Sequence, residues 1–233
     1  KQYGEQKVAL ILRERALPGT IMVNRRGQRF VNEATNYNAI AGAFHHLDPS
    51  QFDYGNLPCW IIFDSQMARY YGFLDVPIGG TMPDWVPSAP TLAALAAKIG
   101  VDAAGLEATV ARWNTHAATG NDPDFGRGNS AYDGFNGDIT RYPAKNSTIG
   151  PIHEAPYYAL QLESSTLGTK GGPRTNRDGA VLDVDGRVIA GLYAAGNVMA
   201  GPTGMVYGGA GGTLGPAIVF GFNADRHAAA RAR

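Results

Sequence analysis

The feature that most constrains this chain is an uncharged, glycine-rich stretch near its end. Residues 191–217 contain nine glycines and no charged side chain. Such a segment has little to offer water, and it suits a wall that a flat, mostly apolar ligand approaches closely. A run of apolar residues follows, so we expect a helix that begins at Pro216. Free N–H groups of residues 214–217 at that helix start would favour negative charge on the ligand.

Composition narrows the classes of protein that remain. The 233 residues are enough for one large domain or two small ones, and 44% of them are hydrophobic. The net charge is zero and no basic run occurs, which argues against a nucleic-acid partner. No apolar run reaches membrane-spanning length and no signal peptide opens the chain, so we expect a cytoplasmic protein without a membrane span.

The single cysteine, Cys59, excludes an internal disulfide and gives no cysteine cluster for a metal. It stands among apolar residues, which predicts burial in the core. We expect the adjacent His45 and His46 to be solvated or locally hydrogen-bonded, since no acidic residue completes a metal-ligand spacing. The polar loop of residues 120–138 lacks the EF-hand spacing for calcium. No metal site is therefore predicted.

Short patterns predict the scaffold. Asp64, Thr91 and Asp102 are placed as N-caps of three helices, the second of which ends at Gly100. Two hairpins are predicted, one joining residues 20–23 to 28–31 and one over residues 181–189 with its turn at Asp185 and Gly186. The chain is expected to enter a new domain over residues 152–162, where Tyr157 and Tyr158 begin a strand.

Several motifs in the last third of the chain resemble those of the 3-ketosteroid Δ1-dehydrogenases, FAD enzymes of the fumarate reductase and succinate dehydrogenase flavoprotein superfamily. They are Gly-Leu-Tyr-Ala-Ala-Gly-Asn at 191–197, Gly-Gly-Thr-Leu-Gly-Pro-Ala at 211–217 and Leu-Gly-Thr-Lys-Gly-Gly-Pro-Arg-Thr-Asn at 167–176. The resemblance implies FAD as the cofactor. It also implies a set of cofactor-binding residues: Gly196, Asn197, Gly212, Leu214, Gly215, Pro216 and Ala217.

The resemblance also implies a fold. We expect an α+β chain in which residues 1–150 form a substrate or cap domain and residues 151–233 supply the C-terminal strands and helix of the FAD-binding domain. Members of the superfamily begin with a βαβ unit that carries Gly-x-Gly-x-x-Gly, and no such unit is found here. We therefore expect the N-terminal Rossmann-like half to be absent and to be supplied by the same longer chain or a second polypeptide. Alone, the chain is expected to hold FAD weakly and to be inactive.

The implied reaction removes two hydrogens from adjacent carbons beside a ketone, which requires a base and a hydride acceptor. The ketone must also be polarised towards its enolate by hydrogen-bond donors. In the resembled enzymes a tyrosine hydroxyl and a glycine N–H act on the ketone, and Tyr207 and Gly211 match them. Tyr37, which follows the Arg-Phe-x-Asn-Glu motif at 29–33, matches the tyrosine that acts as the base. The implied substrate is an apolar, steroid-like ring ketone.

Other interpretations stay open at this point. Tyr207 and Gly211 could serve only packing and turn formation, Tyr37 could be an ordinary aromatic residue, and Asn197 could be a turn residue. A fumarate reductase activity would need arginine to bind carboxylates. No arginine lies between residues 205 and 211, and Arg174 is the nearest. A non-enzymic binding module is the third alternative, and bound FAD in the purified chain would argue against it.

Overall fold

The computed structural model describes residues 9–142 and 147–231, together with the backbone of residues 2–3 and 6–7. The chain divides into two compact units, residues 1–164 and 165–233. Each unit has its own secondary structure and is described by itself.

The first unit contains eight strands and five helices in the part of the chain that is described. The strands are β1 (Gln2–Tyr3), β2 (Gln6–Lys7), β3 (Thr20–Val23), β4 (Leu47–Asp48), β5 (Asp53–Tyr54), β6 (Cys59–Asp64), β7 (Ser88–Ala89) and β8 (Tyr157–Leu162). The helices are α1 (Tyr37–Phe44), α2 (Ser65–Tyr71), α3 (Leu92–Ile99), α4 (Ala103–Thr119) and α5 (Ala131–Gly134). A 3₁₀ turn, Glu14–Ala16, precedes β3.

A four-stranded antiparallel sheet in the order β3-β6-β8-β7 organises this unit. Side chains on β6 alternate between its two faces, because successive residues of a strand point in opposite directions. Ile62 packs into the cluster built with α3 and α4, whereas Ile61 and Phe63 pack into the cluster that includes residues of α1 and α2. All three side chains are buried, so the central strand is covered on both faces.

The predicted helix caps are confirmed. The side chains of Asp64, Thr91 and Asp102 each accept a hydrogen bond from the backbone N–H three residues later. Gly100 ends α3 in the left-handed conformation, with φ at 71°. Cys59 is buried at the start of β6, as its apolar neighbours predicted.

The hairpin predicted at residues 20–31 is wrong in its pairing. The turn forms, with the Gly27 N–H donating to the Asn24 carbonyl at 2.9 Å, but residues 28–31 are not a strand. Strand β3 pairs instead with β6. All four residues of β3 are buried, and pairing with a buried central strand satisfies its backbone groups where a solvent-facing hairpin could not.

The strand that begins at Tyr157 lies within the first unit. It pairs along its whole length with β6, from the Cys59–Leu162 pair to the Asp64–Tyr157 pair. The compact units therefore divide after Ser164, later than the expected boundary at residue 150. The assignment of a cap role and an FAD-binding role to the two parts of the chain stays a prediction.

The second unit consists of the hairpin β9 (Ala180–Leu182) and β10 (Val188–Tyr193), a 3₁₀ turn at Gly196–Val198 and the helix α6 (Leu214–Arg231). The predicted hairpin is confirmed, with Gly186 in its turn at a φ of 81°. Helix α6 begins at Leu214, two residues earlier than predicted from Pro216. Among the described residues, no helix has both the length and the apolarity needed to cross a membrane.

We expect Asp64→Ala to lower the free energy of unfolding by about 2–4 kcal/mol, because one carboxylate serves three backbone donors. It accepts from the N–H groups of Met67, His153 and Glu154 at 2.8–3.0 Å, and it is completely buried. Thr91→Ala is the matched control, since it removes an exposed cap with a single acceptor role and should cost about 1 kcal/mol. Urea unfolding of both variants measures the difference, and equal losses would contradict the expectation.

Candidate active site

Two segments of the second unit meet through backbone contacts. The Gly201 N–H donates to the Lys170 carbonyl at 3.1 Å, and the Ala200 N–H donates to the Pro173 carbonyl at 3.0 Å. A Cβ on Gly172 would overlap the Val198 carbonyl, so glycine is needed for this approach. The Leu-Gly-Thr-Lys-Gly-Gly motif therefore lies directly against the 3₁₀ turn that follows β10.

The start of α6 lies against the same turn. A Cβ built on Gly196 would be 3.1 Å from the Cβ of Ala217, and Gly196 has a φ of 71° that favours glycine. The side chain of Asn197 lies close to Gly168, where an added Cβ would be 2.7 Å from its Nδ2. The predicted cofactor-binding residues at 196–197 and 214–217 are thus brought together within one unit.

The glycines between these segments leave an open backbone surface. Gly204, Gly209 and Gly211 have φ values of 60°, 111° and 88°, and a Cβ at any of them would meet nothing within 4 Å. Exposed apolar side chains flank this surface, among them Met205, Val206 and Leu214. A backbone free of side chains and edged by apolar groups fits a flat ring system such as that of a flavin. The stretch is exposed to solvent in this structure, so its role as the wall of a binding site stays a prediction.

Tyr207 and Gly211 differ in how they are held. The Tyr207 ring rests on Gly212, where an added Cβ would be 3.0 Å from the ring carbon Cε2. The Lys170 ammonium lies 5.3 Å from the centroid of the same ring. The Gly211 carbonyl accepts from the Gly215 N–H at 2.8 Å, while the Gly211 N–H meets no acceptor within the described residues. That N–H remains available to a ligand.

The expectation that residues 214–217 present free N–H groups needs correction. Because the helix starts early, the Gly215 N–H already bonds the Gly211 carbonyl and the Ala217 N–H bonds the Thr213 carbonyl at 3.3 Å. Pro216 has no N–H. Gly215, Pro216 and Ala217 can therefore contact a cofactor by packing and through the helix dipole, but not as hydrogen-bond donors.

Tyr37 belongs to the first unit, where it is the first residue of α1. The Asn36 side chain caps this helix by accepting from the Ala39 N–H at 2.8 Å. Tyr37 is half-buried and packs against the cluster that contains Phe63 and Phe73. Its predicted partnership with Tyr207 stays a prediction, since the two residues lie in different units.

The segment that leads to Tyr37 is held by a buried carboxylate. Both oxygens of Glu33 accept from the Arg29 guanidinium at 2.8 Å, and Arg127 and the Met22 N–H each donate at 3.1 Å. Burial by itself would raise the pKa of Glu33. The Arg29 and Arg127 cations and the Met22 N–H outweigh that effect and hold the pKa below its usual range.

The Arg15 side chain binds the backbone of the same segment. Its Nη1 donates to the Glu33 carbonyl and, at 2.8 Å, to the Thr35 carbonyl. Neither the role of Arg15 nor the bond between Arg127 and Glu33 could be predicted from the sequence, because both arginines lie outside the Arg-Phe-x-Asn-Glu motif. Arg127 belongs to the Phe-Gly-Arg-Gly motif at 125–128, which is expected to be structural. Lys170 was missed as well, although it stands inside a quoted motif, since nothing in the sequence placed it beside Tyr207.

Two side-chain groups outside this region have ordinary explanations. The His45 ring lies beside Tyr54 and its Nε2 hydrogen-bonds the Ser164 hydroxyl at 3.0 Å, which agrees with the predicted local bonding. His116, Asp122 and Asp124 bring three potential metal ligands within 4.8 Å of one another. Both carboxylates already bind arginine, with Arg29 on the first and Arg112 on the second. Ion pairing accounts for this cluster.

A glycine-lined backbone surface at the start of a helix suits a flat, negatively charged cofactor such as a flavin nucleotide. The chain belongs to the FAD binding domain family, whose model matches residues 2–214. Membership and the flavoenzyme relatives support FAD as the cofactor.

Curated relatives match nearly all of this chain. The 4-oxocyclohexanecarboxylate 2-dehydrogenase of Sinomonas cyclohexanicum is 44% identical over 94% of this chain and 38% of its own length. The 3-oxosteroid 1-dehydrogenase of Mycobacterium tuberculosis strain H37Rv is 43% identical over 95% of this chain and 40% of its own length. The chain thus spans about 40% of the length of these relatives. A fumarate oxidoreductase of Klebsiella pneumoniae is a more distant relative, 31% identical over 92% of this chain and 20% of its own length.

A solved structure supports the resemblance. The 3-ketosteroid Δ1-dehydrogenase of Sterolibacterium denitrificans, in complex with 1,4-androstadiene-3,17-dione, superposes with a TM-score of 0.83 and 41% identity. The match covers 94% of this chain and 40% of that one. The resemblance to the 3-ketosteroid Δ1-dehydrogenases seen in the motifs is confirmed.

Glu33→Gln should destabilise the first unit by about 3–5 kcal/mol, because it leaves Arg127 buried without its counter-charge and Arg29 with Asp122 alone. Glu154→Gln is the matched control. Glu154 pairs with Arg69 at 2.6 Å, but both side chains are more than 40% exposed, so its loss should cost less than about 1 kcal/mol. Urea unfolding followed by circular dichroism compares the two, and a small loss for Glu33→Gln would show that the buried pair is dispensable.

The same carboxylate should make stability depend on pH. The pKa of Glu33 is lower in the folded protein than the value of about 4.3 in the unfolded chain. Its stabilising contribution is therefore complete above about pH 5 and is lost progressively as the pH falls below about 4. Glu33→Gln should flatten the fall of the unfolding free energy between about pH 5 and pH 2. Urea unfolding at each pH gives the free energy of unfolding of both proteins. If the two values fall in parallel with pH, Glu33 does not contribute to the loss of stability in acid.

Proposed function

We propose that the protein to which this chain belongs is an FAD-dependent dehydrogenase that forms a carbon–carbon double bond next to a ring ketone. The observation that carries the proposal is the open N–H of Gly211 four residues after Tyr207, whose ring is held on Gly212. Two donors presented by one short segment suit a single ketone oxygen. The named activities of the relatives agree, since both 4-oxocyclohexanecarboxylate and 3-oxosteroids are ring ketones.

In this mechanism the Tyr207 hydroxyl and the Gly211 N–H hydrogen-bond the ketone oxygen and stabilise the charge that it gains as the enolate forms. Each such donor contributes typically about 3 kcal/mol in a dry, preorganised site. Tyr37 removes the proton beside the ketone. A free tyrosine has a pKa near 10, so Tyr37 needs a second hydroxyl or a cation nearby to act at neutral pH. When bound, FAD supplies the acceptor for the hydride.

The residues proposed to hold FAD are Gly196, Asn197, Gly212, Leu214, Gly215, Pro216 and Ala217. The small size of the three glycines and of Ala217 lets the ring system approach the backbone, and the start of α6 favours negative charge near it. Gly211 has a φ of 88°, which favours glycine. In the proposed mechanism it must be glycine for a second reason, because a side chain there would keep a bulky ring ketone from its N–H. A steroid-like, apolar substrate fits the uncharged composition of residues 191–217.

A fumarate reductase activity is less well supported. Binding a dicarboxylate calls for arginine, and none lies between residues 205 and 211. The fumarate-reducing relative also has a lower sequence identity than the ring-ketone dehydrogenases.

We further propose that the second unit packs against the remaining part of an FAD-binding domain. Helix α6 has no fully buried residue, and its apolar side chains Ile218, Val219 and Phe222 are all more than half exposed. An apolar face of this kind is typical of a surface that another element covers. The isolated 233-residue chain should retain little FAD, and we expect it to be inactive on its own. The visible absorbance of the purified chain after incubation with FAD measures retention, and a stoichiometric yellow complex would contradict the proposal.

Tyr207→Phe should lower kcat for dehydrogenation of a ring ketone by several hundredfold, because it deletes one of the two donors to the ketone oxygen. Tyr54→Phe is the control, since this tyrosine is exposed on β5 in the first unit, and turnover should stay near normal. Both variants are made in the intact, FAD-loaded protein to which this chain belongs. Their steady-state kinetics are measured with a 3-ketosteroid and an artificial electron acceptor. Near-normal turnover of Tyr207→Phe would exclude this tyrosine from the mechanism.

A further inference from the structure

We propose that Lys170 is a positioning residue that holds Tyr207 in its working orientation. The inference rests on the proposed function, in which the Tyr207 hydroxyl bonds the substrate ketone. It adds a residue that lies 37 positions away in the sequence and belongs to another motif. The reason for its position is visible only in the folded second unit.

Lys170 contacts the Tyr207 segment at two points. Its ammonium lies 5.3 Å from the centroid of the Tyr207 ring, within the range of a cation–π interaction. The same ammonium donates a hydrogen bond to the Thr203 hydroxyl at 3.0 Å. The Thr203 hydroxyl in turn donates to the Val206 carbonyl at 2.8 Å. This chain of bonds ends on the peptide group that joins Val206 to Tyr207, so Lys170 reaches both the ring and the backbone of the tyrosine.

The backbone of Lys170 is fixed to the beginning of the same segment. Its carbonyl accepts from the Gly201 N–H at 3.1 Å, and the Gly201 carbonyl accepts from the Gly204 N–H at 3.0 Å. The lysine therefore reaches the segment of residues 201–207 from its first residue to its last. Because the Lys170 backbone is fixed in this way, its side chain can restrict the position of the Tyr207 ring that it contacts.

The charge of Lys170 is directed at this segment. In the part of the chain that the structure describes, Lys170 forms no ion pair with a carboxylate, and its side-chain contacts are the Thr203 hydroxyl and the Tyr207 ring. A cation without a competing carboxylate interacts more strongly with the face of an aromatic ring. The lysine is half-buried, which limits its exchange of this contact for water.

The segment needs such a constraint because its own sequence provides little. Gly204, Gly208 and Gly209 allow a wide range of backbone conformations, and residues 202–206 are exposed. A catalytic donor loses much of its effect when it is displaced by about 1 Å. Contacts from outside the segment must therefore help to restrict Tyr207, and the structure shows two of them, at Gly212 and at Lys170.

The test uses Lys170→Met and Lys170→Arg in the intact, FAD-loaded protein to which this chain belongs. Methionine keeps an unbranched side chain but removes the charge and the donor, whereas arginine retains both. We expect Lys170→Met to lower kcat about tenfold, with little change in KM or FAD content, and Lys170→Arg to recover most of the loss. The effect should be the same for a neutral 3-ketosteroid and for 4-oxocyclohexanecarboxylate.

A double-mutant cycle makes the test specific. In a Tyr207→Phe background the hydroxyl that Lys170 positions is gone, so Lys170→Met should have no further effect on kcat. Three results would overturn the proposal: losses that multiply in the double variant, a rise in KM confined to the carboxylated ketone, and no rescue by arginine. The second of these would instead make Lys170 the binding site for an anionic group of the substrate.

A measurement that does not depend on activity separates this inference from the proposed function. The same intact protein is prepared with ¹³C-labelled tyrosine rings, and the Tyr207 resonance is assigned by its loss in Tyr207→Phe. Lys170→Met should shift or broaden that resonance and leave the other tyrosines unchanged. An unchanged Tyr207 resonance contradicts the positioning role, even if the dehydrogenase activity is confirmed. A shifted resonance together with normal turnover of Tyr207→Phe would uphold the contact and refute the mechanism.

Discussion

The buried carboxylate of Glu33 is the interaction on which the first unit most depends. It brings together residues that are far apart in the sequence: Arg29, Arg127 and the backbone of β3 at Met22 all donate to it. Removing an ionised carboxylate from water carries a large desolvation cost, which only several donors can offset. Because those donors come from a strand and from two separate loops, the carboxylate is stable only when these segments are assembled. Folding of the unit and formation of this ion cluster are therefore coupled.

The cluster also holds the backbone that leads into α1. Glu33 lies four residues before Tyr37, and Arg15 binds the carbonyls of Glu33 and Thr35. The first turn of α1 thus starts from backbone whose position is set by buried hydrogen bonds. Arg127 adds further bonds to the carbonyls of Leu17 and Thr20, so it connects the same region to the edge of the sheet. Rigid support of this kind is what a residue needs if it is to remove a proton from a fixed carbon.

The sequence predicted those parts of the structure that depend on short-range chemistry. The caps at Asp64, Thr91 and Asp102, the Asp185-Gly186 turn and the burial of Cys59 each depend on a few neighbouring residues. The pairing of β3 with β6 could not be predicted in this way, because residues 24–28 form a turn whether or not the next segment is a strand. The same limit hid the ion cluster, in which Glu33 and Arg127 are 94 residues apart. The motifs around residues 191–217 identified the family, but they said nothing about the charge beside Tyr207.

The two units restrict their candidate catalytic tyrosines in different ways. In the first, a covered central strand and a buried ion cluster restrict Tyr37 through packing that involves most of the unit. The second has a small core, a cluster of Val181, Ala194 and Met199 with Phe220 against it, so packing cannot restrict a glycine-rich segment in the same way. Glycine is nonetheless required there, because the close approach of Gly172 to Val198 leaves no room for a side chain. A segment that is rich in glycine and must still keep a fixed position needs contacts from long side chains outside it. Lys170 has the length, the charge and the anchored backbone for that task, which explains why a lysine from a neighbouring motif reaches over Tyr207.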